Sequence, residues 1–318
     1  PMVRRVLLAS PRGFCAGVER AVDTVERALR LYGAPVYVRK QIVHNTHVVA
    51  DLRRRGAVFV DSVDDVPRGS TLVFSAHGVS PSVRDASTAR RLTTIDATCP
   101  LVTKVHTQAR RYAAAGYAIA FIGHAGHEEV EGTTGEAADA IVLVESVDDA
   151  RTVELPSDRP LAYITQTTLS IDETREIIDV LRRRYPQIEA PAKEDICYAT
   201  SNRQWAVKEL LDEVEILLVI GSRNSSNSKR LVEVAHAAGV RAQLVDDASE
   251  IDESWLDDVD TVGVTSGASA PERLVRDVCD WFRARGVVDI TEHSSHFEDV
   301  VFRLPVELRR AQRSSAAA

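Results

Sequence analysis

The sequence contains no CxxC pair. Its four cysteines, Cys15, Cys99, Cys197 and Cys279, are scattered through 318 residues. That scatter excludes a dense disulfide framework and the paired ligands of a structural zinc module. No apolar run approaches the roughly 18 residues of a membrane span. No basic, apolar leader precedes the first expected strand, so secretion is not indicated. A reducing cytoplasm is the expected setting, with no membrane partner. A basic excess is missing as well. The net charge of −8 argues against a general nucleic-acid or anionic-membrane surface. The runs Arg53–Arg55 and Arg182–Arg184 read as solvated helix ends. Pro1 ahead of Met2 reads as a numbering offset, and "SSAAA" at the C-terminus as a frayed tail.

What is present is ordinary in amount. Hydrophobic residues make up 44% and charged residues 27%, as in a globular chain. The arrangement is more informative. In "PRGFCAGVERAV", Cys15 sits between glycines at the start of an apolar-periodic helix, where free N–H groups and the helix dipole favour a thiolate. The same setting recurs. "CAGVERAVDTVERALRLYG", "CPLVTKVHTQARRYAAAG" and "CYATSNRQWAVKELLDEV" each open on cysteine and continue as an amphipathic helix. Pro100 falls where a first helical turn tolerates proline. A short apolar strand follows each helix: "PVYVRK", "YAIAFIG", "EILLVIG". A polar loop follows each strand: "VHNTHVV", "GHAGHEEVEG", "GSRNSSNSKR".

The repeat continues with a strand ending in acid, "FVDSVDDV", "LVESVDDA" and "LVDDASEI". A further strand then enters another polar loop, "TLVFSAHGVSP", "LAYITQTTLS" and "TVGVTSGASAP". The spacings agree. His44 lies 29 residues after its cysteine, His127 and Ser225 28 after theirs. Asp61 and Glu145 lie 46 residues on, and Asp246 49.

Strands alternating with helices predict parallel sheets covered on both faces. The expected fold class is therefore α/β, built as three α/β units of roughly 90 residues. They span 15–96, 97–194 and 195–290, the last completed by the strand within 1–14. Residues 291–318, with "FEDVVFRLPVELRR", have no repeat partner and read as a closing arm and tail. Each repeated cysteine is expected to follow a strand, "RRVLLAS", "LTTIDAT" and "KEDI". Ligands of open α/β sheets bind outside the carboxyl ends of strands. Units arranged about an approximate threefold axis would bring three thiolates and six polar loops to one site.

Three thiolates suit a metal better than a nucleophile, which needs one cysteine and a base. Two candidates are a catalytic zinc with three protein ligands and a 4Fe–4S cluster with one iron left open. Cys279, within "ERLVRDVCDWFRAR", stands outside the repeat and reads as a core thiol. The loops supply His44, His77, His127, Thr167, Thr168, Ser225, Ser226, Asn227 and Ser269. With few basic residues beside them, they suit an anion held by neutral donors, histidine and helix N-termini. Glu129 is the outstanding carboxylate and proton source. His106 and His236 fall inside helical stretches and read as structural.

These motifs together resemble one family. "PRGFCAGV", "VHN", "SAHGVS", "DATCPLVTKVH", "GHAGHEEVEG", "TQTTLS", "DICYATSNRQ", "GSRNSSNS" and "GASAP" are similar to those of the 4-hydroxy-3-methylbut-2-enyl diphosphate reductases, over about Val6 to Leu308. Glu128 stands where relatives carry proline. The resemblance implies a trefoil of three pseudo-symmetric α/β units with mostly parallel sheets around a central 4Fe–4S cluster. Its ligands would be Cys15, Cys99 and Cys197, with one iron open. It implies diphosphate binding by His44, His77, His127, Ser225, Ser226, Asn227 and Ser269. Thr167, Thr168 and Glu129 would lie near the allylic hydroxyl. The implied reaction is a two-electron, two-proton reductive dehydroxylation that ends the methylerythritol phosphate route to isopentenyl and dimethylallyl diphosphate. Its electrons would come from a ferredoxin- or flavodoxin-type donor. Competing readings are a three-cysteine hydro-lyase or condensing enzyme similar to quinolinate synthase, a non-catalytic iron–sulfur sensor, and a zinc hydrolase. The first should place more arginine in the pocket, and the second should carry a regulated partner module.

Overall fold

The computed structural model describes residues 3–316. The expectations for Pro1, Met2 and the last two alanines lie outside them. From the N-terminus the chain runs β1 (Arg5–Ser10), α1 (Ala16–Tyr32), β2 (Val36–Arg39), α2 (Thr46–Arg54), β3 (Ala57–Val60), β4 (Thr71–Phe74), α3 (Pro81–Ala89), β5 (Thr93–Asp96) and α4 (Pro100–Ala114). It continues through β6 (Ala118–Ile122), α5 (Glu128–Glu136), β7 (Ile141–Val144), α6 (Val147–Thr152), β8 (Leu161–Thr165), α7 (Ile171–Arg184) and α8 (Tyr198–Leu210). The remainder holds β9 (Ile216–Ile220), α9 (Ser226–Ala237), β10 (Arg241–Val245), β11 (Thr261–Ser266), α10 (Glu272–Arg283), β12 (Asp289–Ser294) and α11 (Val306–Ala316). Among the described residues every strand ladder is parallel.

Two compact units emerge. One gathers the chain up to Ala16, His44–Val48 and Tyr198–Val301. It carries a five-stranded sheet in the order β10-β9-β11-β1-β12. Period-two alternation divides its core. Val6, Leu218, Ile220, Val262 and Val264 face α10, whose Leu274, Val275, Val278, Cys279 and Phe282 recur at helical spacing. Leu7, Ala9, Leu217 and Val219 face α8 and α9 through Val207, Leu210, Leu231 and Ala235. Burying each large side chain contributes roughly 1.5–3 kcal/mol.

The other unit gathers Gly17–Val43, Val49–Cys197 and the chain from Phe302. It carries a sheet in the order β3-β2-β4-β5 and another in the order β7-β6-β8. Strands β6 and β8 are buried along their whole length, as expected of strands covered on both faces. The α7 helix starts where the Ser170 side chain accepts the Glu173 N–H, and it buries Thr174, Ile177, Val180 and Leu181. No described helix is long and apolar enough to cross a membrane.

Four local readings change. "KEDI" is not a strand. The buried Asp195 carboxylate accepts the Thr165 N–H at 3.1 Å, so a side chain stands where a ladder would continue. The start of the expected closing arm is instead the end of a strand, β12 ("DITEHS"), paired with β1 over six residues. Helix α11 reaches Ala316, into the stretch expected to fray. The arginine runs do close α2 and α7, but not all are simply solvated. Arg55 pairs with Glu26 at 2.5 Å, and Arg184 donates to the Ala150 carbonyl at 2.7 Å.

Candidate active site

The three repeated cysteines share one backbone arrangement. Each immediately precedes a helix: Cys15 before α1, Cys99 before α4, Cys197 before α8. Each N–H donates to a carbonyl two residues past the end of a strand. Cys99 uses Ala76, after β4, at 2.9 Å; Cys197 uses Thr167, after β8, at 3.0 Å; Cys15 uses Ala268, after β11, at 3.2 Å. A cysteine therefore opens the helix of one repeat while hanging from the sheet of the repeat before it. The last repeat closes this order onto the first cysteine. All three are half-buried thiols outside any disulfide. Cys279 is buried in the apolar core, and burial pushes its thiol up.

In the unit with two sheets, Glu129, Thr167 and Cys197 form a continuous chain of contacts. Glu129 lies in the first turn of α5 and is fully buried. Its Oε1 accepts the Thr167 N–H at 2.7 Å and its Oε2 the Thr167 hydroxyl at 2.8 Å. The Thr167 carbonyl accepts the Cys197 N–H. Burial pushes the Glu129 carboxyl up to about 7, while the Thr167 bonds and the charge of His77 pull the other way. Thr168 stands on the same loop, its hydroxyl accepting from Gln166 Nε2 at 3.0 Å. Gln166 Oε1 in turn accepts the His124 N–H, which ties this loop to the one after β6.

His77 and His127 meet edge to face with ring centroids 5.7 Å apart. His127 caps α5, its Nδ1 accepting the Glu129 N–H at 3.2 Å. His77 Nδ1 lies 3.2 Å from Glu128 Oε2, and the Ser75 hydroxyl is 3.4 Å from both. Behind them lies His106, which reads from sequence as a helix-interior residue and is buried there. Its Nδ1 faces Glu136 at 3.0 Å, while burial lowers its basicity. Its ring packs on Gly78 and Gly132, so the turn after His77 and the middle of α5 both rest on it. Gly78 has φ +83°, and a Cβ there would lie 2.9 Å from the His106 ring.

The five-stranded unit assembles the remaining candidates. Ser225 caps α9, accepting the Ser228 N–H and hydroxyl at 3.3 and 3.0 Å. Ser226 opens the helix, half-buried. Buried Asn227 accepts the Ala268 N–H at 2.8 Å, and Ala268 in turn holds Cys15. Ser269 donates to the His44 carbonyl at 2.9 Å, and His44 Nδ1 lies 3.3 Å from Asn224 Nδ2. The structure thus gathers Cys197, Glu129, Thr167, Thr168, His77, His127 and, through Ala76, Cys99 in one unit. It gathers Cys15, His44, Ser225, Ser226, Asn227 and Ser269 in the other.

Some residues escaped the sequence reading. Repeat spacing aligns His44 with His127 and Ser225. The residue that caps α2 is Asn45, whose Oδ1 accepts the Val48 N–H at 3.1 Å. Asn45 is fully buried, and its Nδ2 has no hydrogen-bond partner among the described residues. Its place in "VHN" at a helix start was the available signal. Gln166 and Glu128 sit inside quoted motifs too, but nothing in their spacing reveals their contacts.

A family model described as "LytB protein" matches residues 6–283. The chain is 61% identical over 308 residues to the 4-hydroxy-3-methylbut-2-enyl diphosphate reductase of Acidothermus cellulolyticus, covering 96% of this chain and 91% of that protein. It is 56% identical over 315 residues to the reductase of Streptomyces coelicolor, covering 99% and 93%. Among solved structures, the E-1-hydroxy-2-methyl-but-2-enyl-4-diphosphate reductase from Plasmodium falciparum matches with a TM-score of 0.96, at 37% identity over 99% of each chain.

Proposed function

The chain belongs to the LytB protein family, and on that premise we infer that it reduces 4-hydroxy-3-methylbut-2-enyl diphosphate to isopentenyl and dimethylallyl diphosphate with loss of water. Family membership sets aside the hydro-lyase, sensor and zinc-hydrolase readings. We propose that Cys15, Cys99 and Cys197 hold one 4Fe–4S cluster with an iron left open. Three half-buried thiols, each at a helix start with its own N–H already bonded, fit a soft metal group. When bound, such a cluster would relay the carrier's two electrons one at a time and give Lewis-acid assistance to the departing hydroxyl.

The observation that carries the reading is the Glu129–Thr167–Cys197 chain. A carboxyl poised near 7 stands one residue away from a proposed ligand. Glu129 holds the proton that the leaving oxygen needs, and the Thr167 hydroxyl passes it on. Burial of both residues keeps water from competing for that proton. His44, His77, His127, Ser225, Ser226, Asn227 and Ser269 bind the diphosphate, and Thr168 lines the allylic end. The orphaned Asn45 Nδ2 joins them as an unused donor suited to an anion. Electrons arrive from a ferredoxin- or flavodoxin-type carrier in a cytoplasmic setting.

Anaerobic reconstitution followed by assay with reduced donor tests this reading. About four irons per chain and production of both diphosphates are expected. Colourless protein with stoichiometric zinc would overturn it.

A further inference from the structure

Each cysteine-bearing helix carries a basic residue five or six positions after its cysteine: Arg20 on α1, Lys104 on α4, Arg203 on α8. Each bonds the loop that leads into another repeat's cysteine. Arg20 donates through Nη1 to the Thr98 carbonyl at 2.9 Å, through Nη2 to Asp96 at 3.5 Å, and through Nε to Arg303 at 2.6 Å. Thr98 immediately precedes Cys99. Lys104 Nζ donates to the carbonyls of Lys193 and Glu194 at 2.8 and 2.6 Å and to Asp195 Oδ1 at 3.1 Å. That stretch leads into Cys197. Arg203 donates through Nη2 and Nε to the Gly13 carbonyl at 2.7 and 3.1 Å, and through Nη2 to Phe14 at 3.5 Å. These two residues precede Cys15. Its Nη1 also reaches the Ala199 carbonyl at 2.9 Å and Glu298 at 3.0 Å.

We infer that Arg20, Lys104 and Arg203 are a cyclic set of positioning residues, each holding the loop that presents the next cysteine in the repeat. The inference rests on the reading of the three cysteines as ligands of one group. Its physical basis is local. A chain leaving a strand for a helix exposes carbonyls that the sheet no longer pairs. A guanidinium offers five N–H donors and an ammonium three, where a neutral amide offers two. Arg203, the largest fully buried side chain among the described residues, is paired with Glu298 and bonds the loop before Cys15 from the same guanidinium. Because each cation serves the next cysteine, a disturbance in one helix should be felt at the following ligand, not at its own.

That direction is testable. R20Q, K104Q and R203Q are compared with the charge-keeping R20K, K104R and R203K; K104Q is also made with D195N, so that no buried carboxylate is left unpaired. Hydrogen–deuterium exchange is measured on the metal-free protein, and iron loss to a chelator on the reconstituted protein. The amides leading into Cys99 should exchange about tenfold faster in R20Q, those before Cys197 in K104Q, and those before Cys15 in R203Q. Iron should be lost about tenfold faster or more in the glutamine variants, with the charge-keeping variants between them and the parent. Exchange centred on the cysteine of the variant's own helix, or equal at all three cysteines, overturns the cyclic assignment. If R203Q does not fold, the other two positions and R203K decide it. A parent protein that takes up no iron refutes the ligand reading, while the exchange pattern still judges the clamps.

Discussion

At Glu129 two demands oppose each other. Full burial disfavours its charge, while two bonds from Thr167 and the charge of His77 favour it. Burial wins, and a value of about 7 leaves a proton available near neutral pH and still easy to give up. E129Q keeps the size, and its amide can still bond to the Thr167 N–H and hydroxyl. It should retain the cluster, alter KM by less than about tenfold, and lower kcat by roughly 10²-fold. Near-normal turnover, with iron verified in the same sample, would remove Glu129 from the mechanism. The same shift fixes a sign for stability. The folded value lies above the ordinary 4.5, so the associated stabilisation is fully present below 4.5 and is lost as pH rises through about 7. That gap corresponds to about 3 kcal/mol. Denaturant unfolding of the metal-free proteins should therefore show E129Q gaining on the parent between pH 5 and pH 8; parallel curves would mean that Glu129 titrates normally.

Elements announce themselves where period and burial agree. "ILLVI" and "LAYIT" are strands buried on both faces, and "ERLVRDVCDWFR" a helix with one apolar stripe, so each was legible as such. β12 was not, because "DITEHS" holds one isoleucine among polar residues and takes its strand form from pairing with β1. "KEDI" failed the other way, since a buried aspartate claims the backbone bond that a strand would use. The cap of α2 is Asn45, one residue past the His44 that aligns with His127 and Ser225, because capping chemistry, not repeat register, selects the residue. Arg20, Lys104 and Arg203 do recur five or six residues after their cysteines, but the loops they bond lie across long sequence gaps that spacing does not reveal. At the start of α9 the packing makes a sharp prediction. A Cβ on Gly221 would meet Ser228 Cβ at 2.7 Å and its Oγ at 2.1 Å. Rotating the hydroxyl relieves only the second contact. G221A should thus cost about 1–3 kcal/mol in unfolding free energy and weaken binding of inorganic diphosphate. Unchanged stability would mean that the β9–α9 turn yields more readily than its contacts imply.

Across the whole molecule the repeat places one cysteine at the same point of three sheets, and that regularity separates the proposed ligands from the fourth thiol. Cys15, Cys99 and Cys197 each have their N–H bonded to a carbonyl past a strand end, and each side chain is half-buried. Cys279 lies on the apolar face of α10 with Val275, Val278 and Phe282, where burial makes the thiolate harder to form. Replacement by serine keeps the size but supplies a harder, far less acidic oxygen. C15S, C99S and C197S should each lose the cluster, or hold it too weakly to survive desalting, because a three-thiolate site has no spare ligand. C279S should keep its iron and its visible absorption, and pay at most a modest stability cost for a hydroxyl in an apolar core. Iron and acid-labile sulfide, measured on all four variants after one reconstitution protocol, decide the assignment. Iron loss in C279S equal to that of the other three would show that the threefold placement is a folding device and not the ligand set.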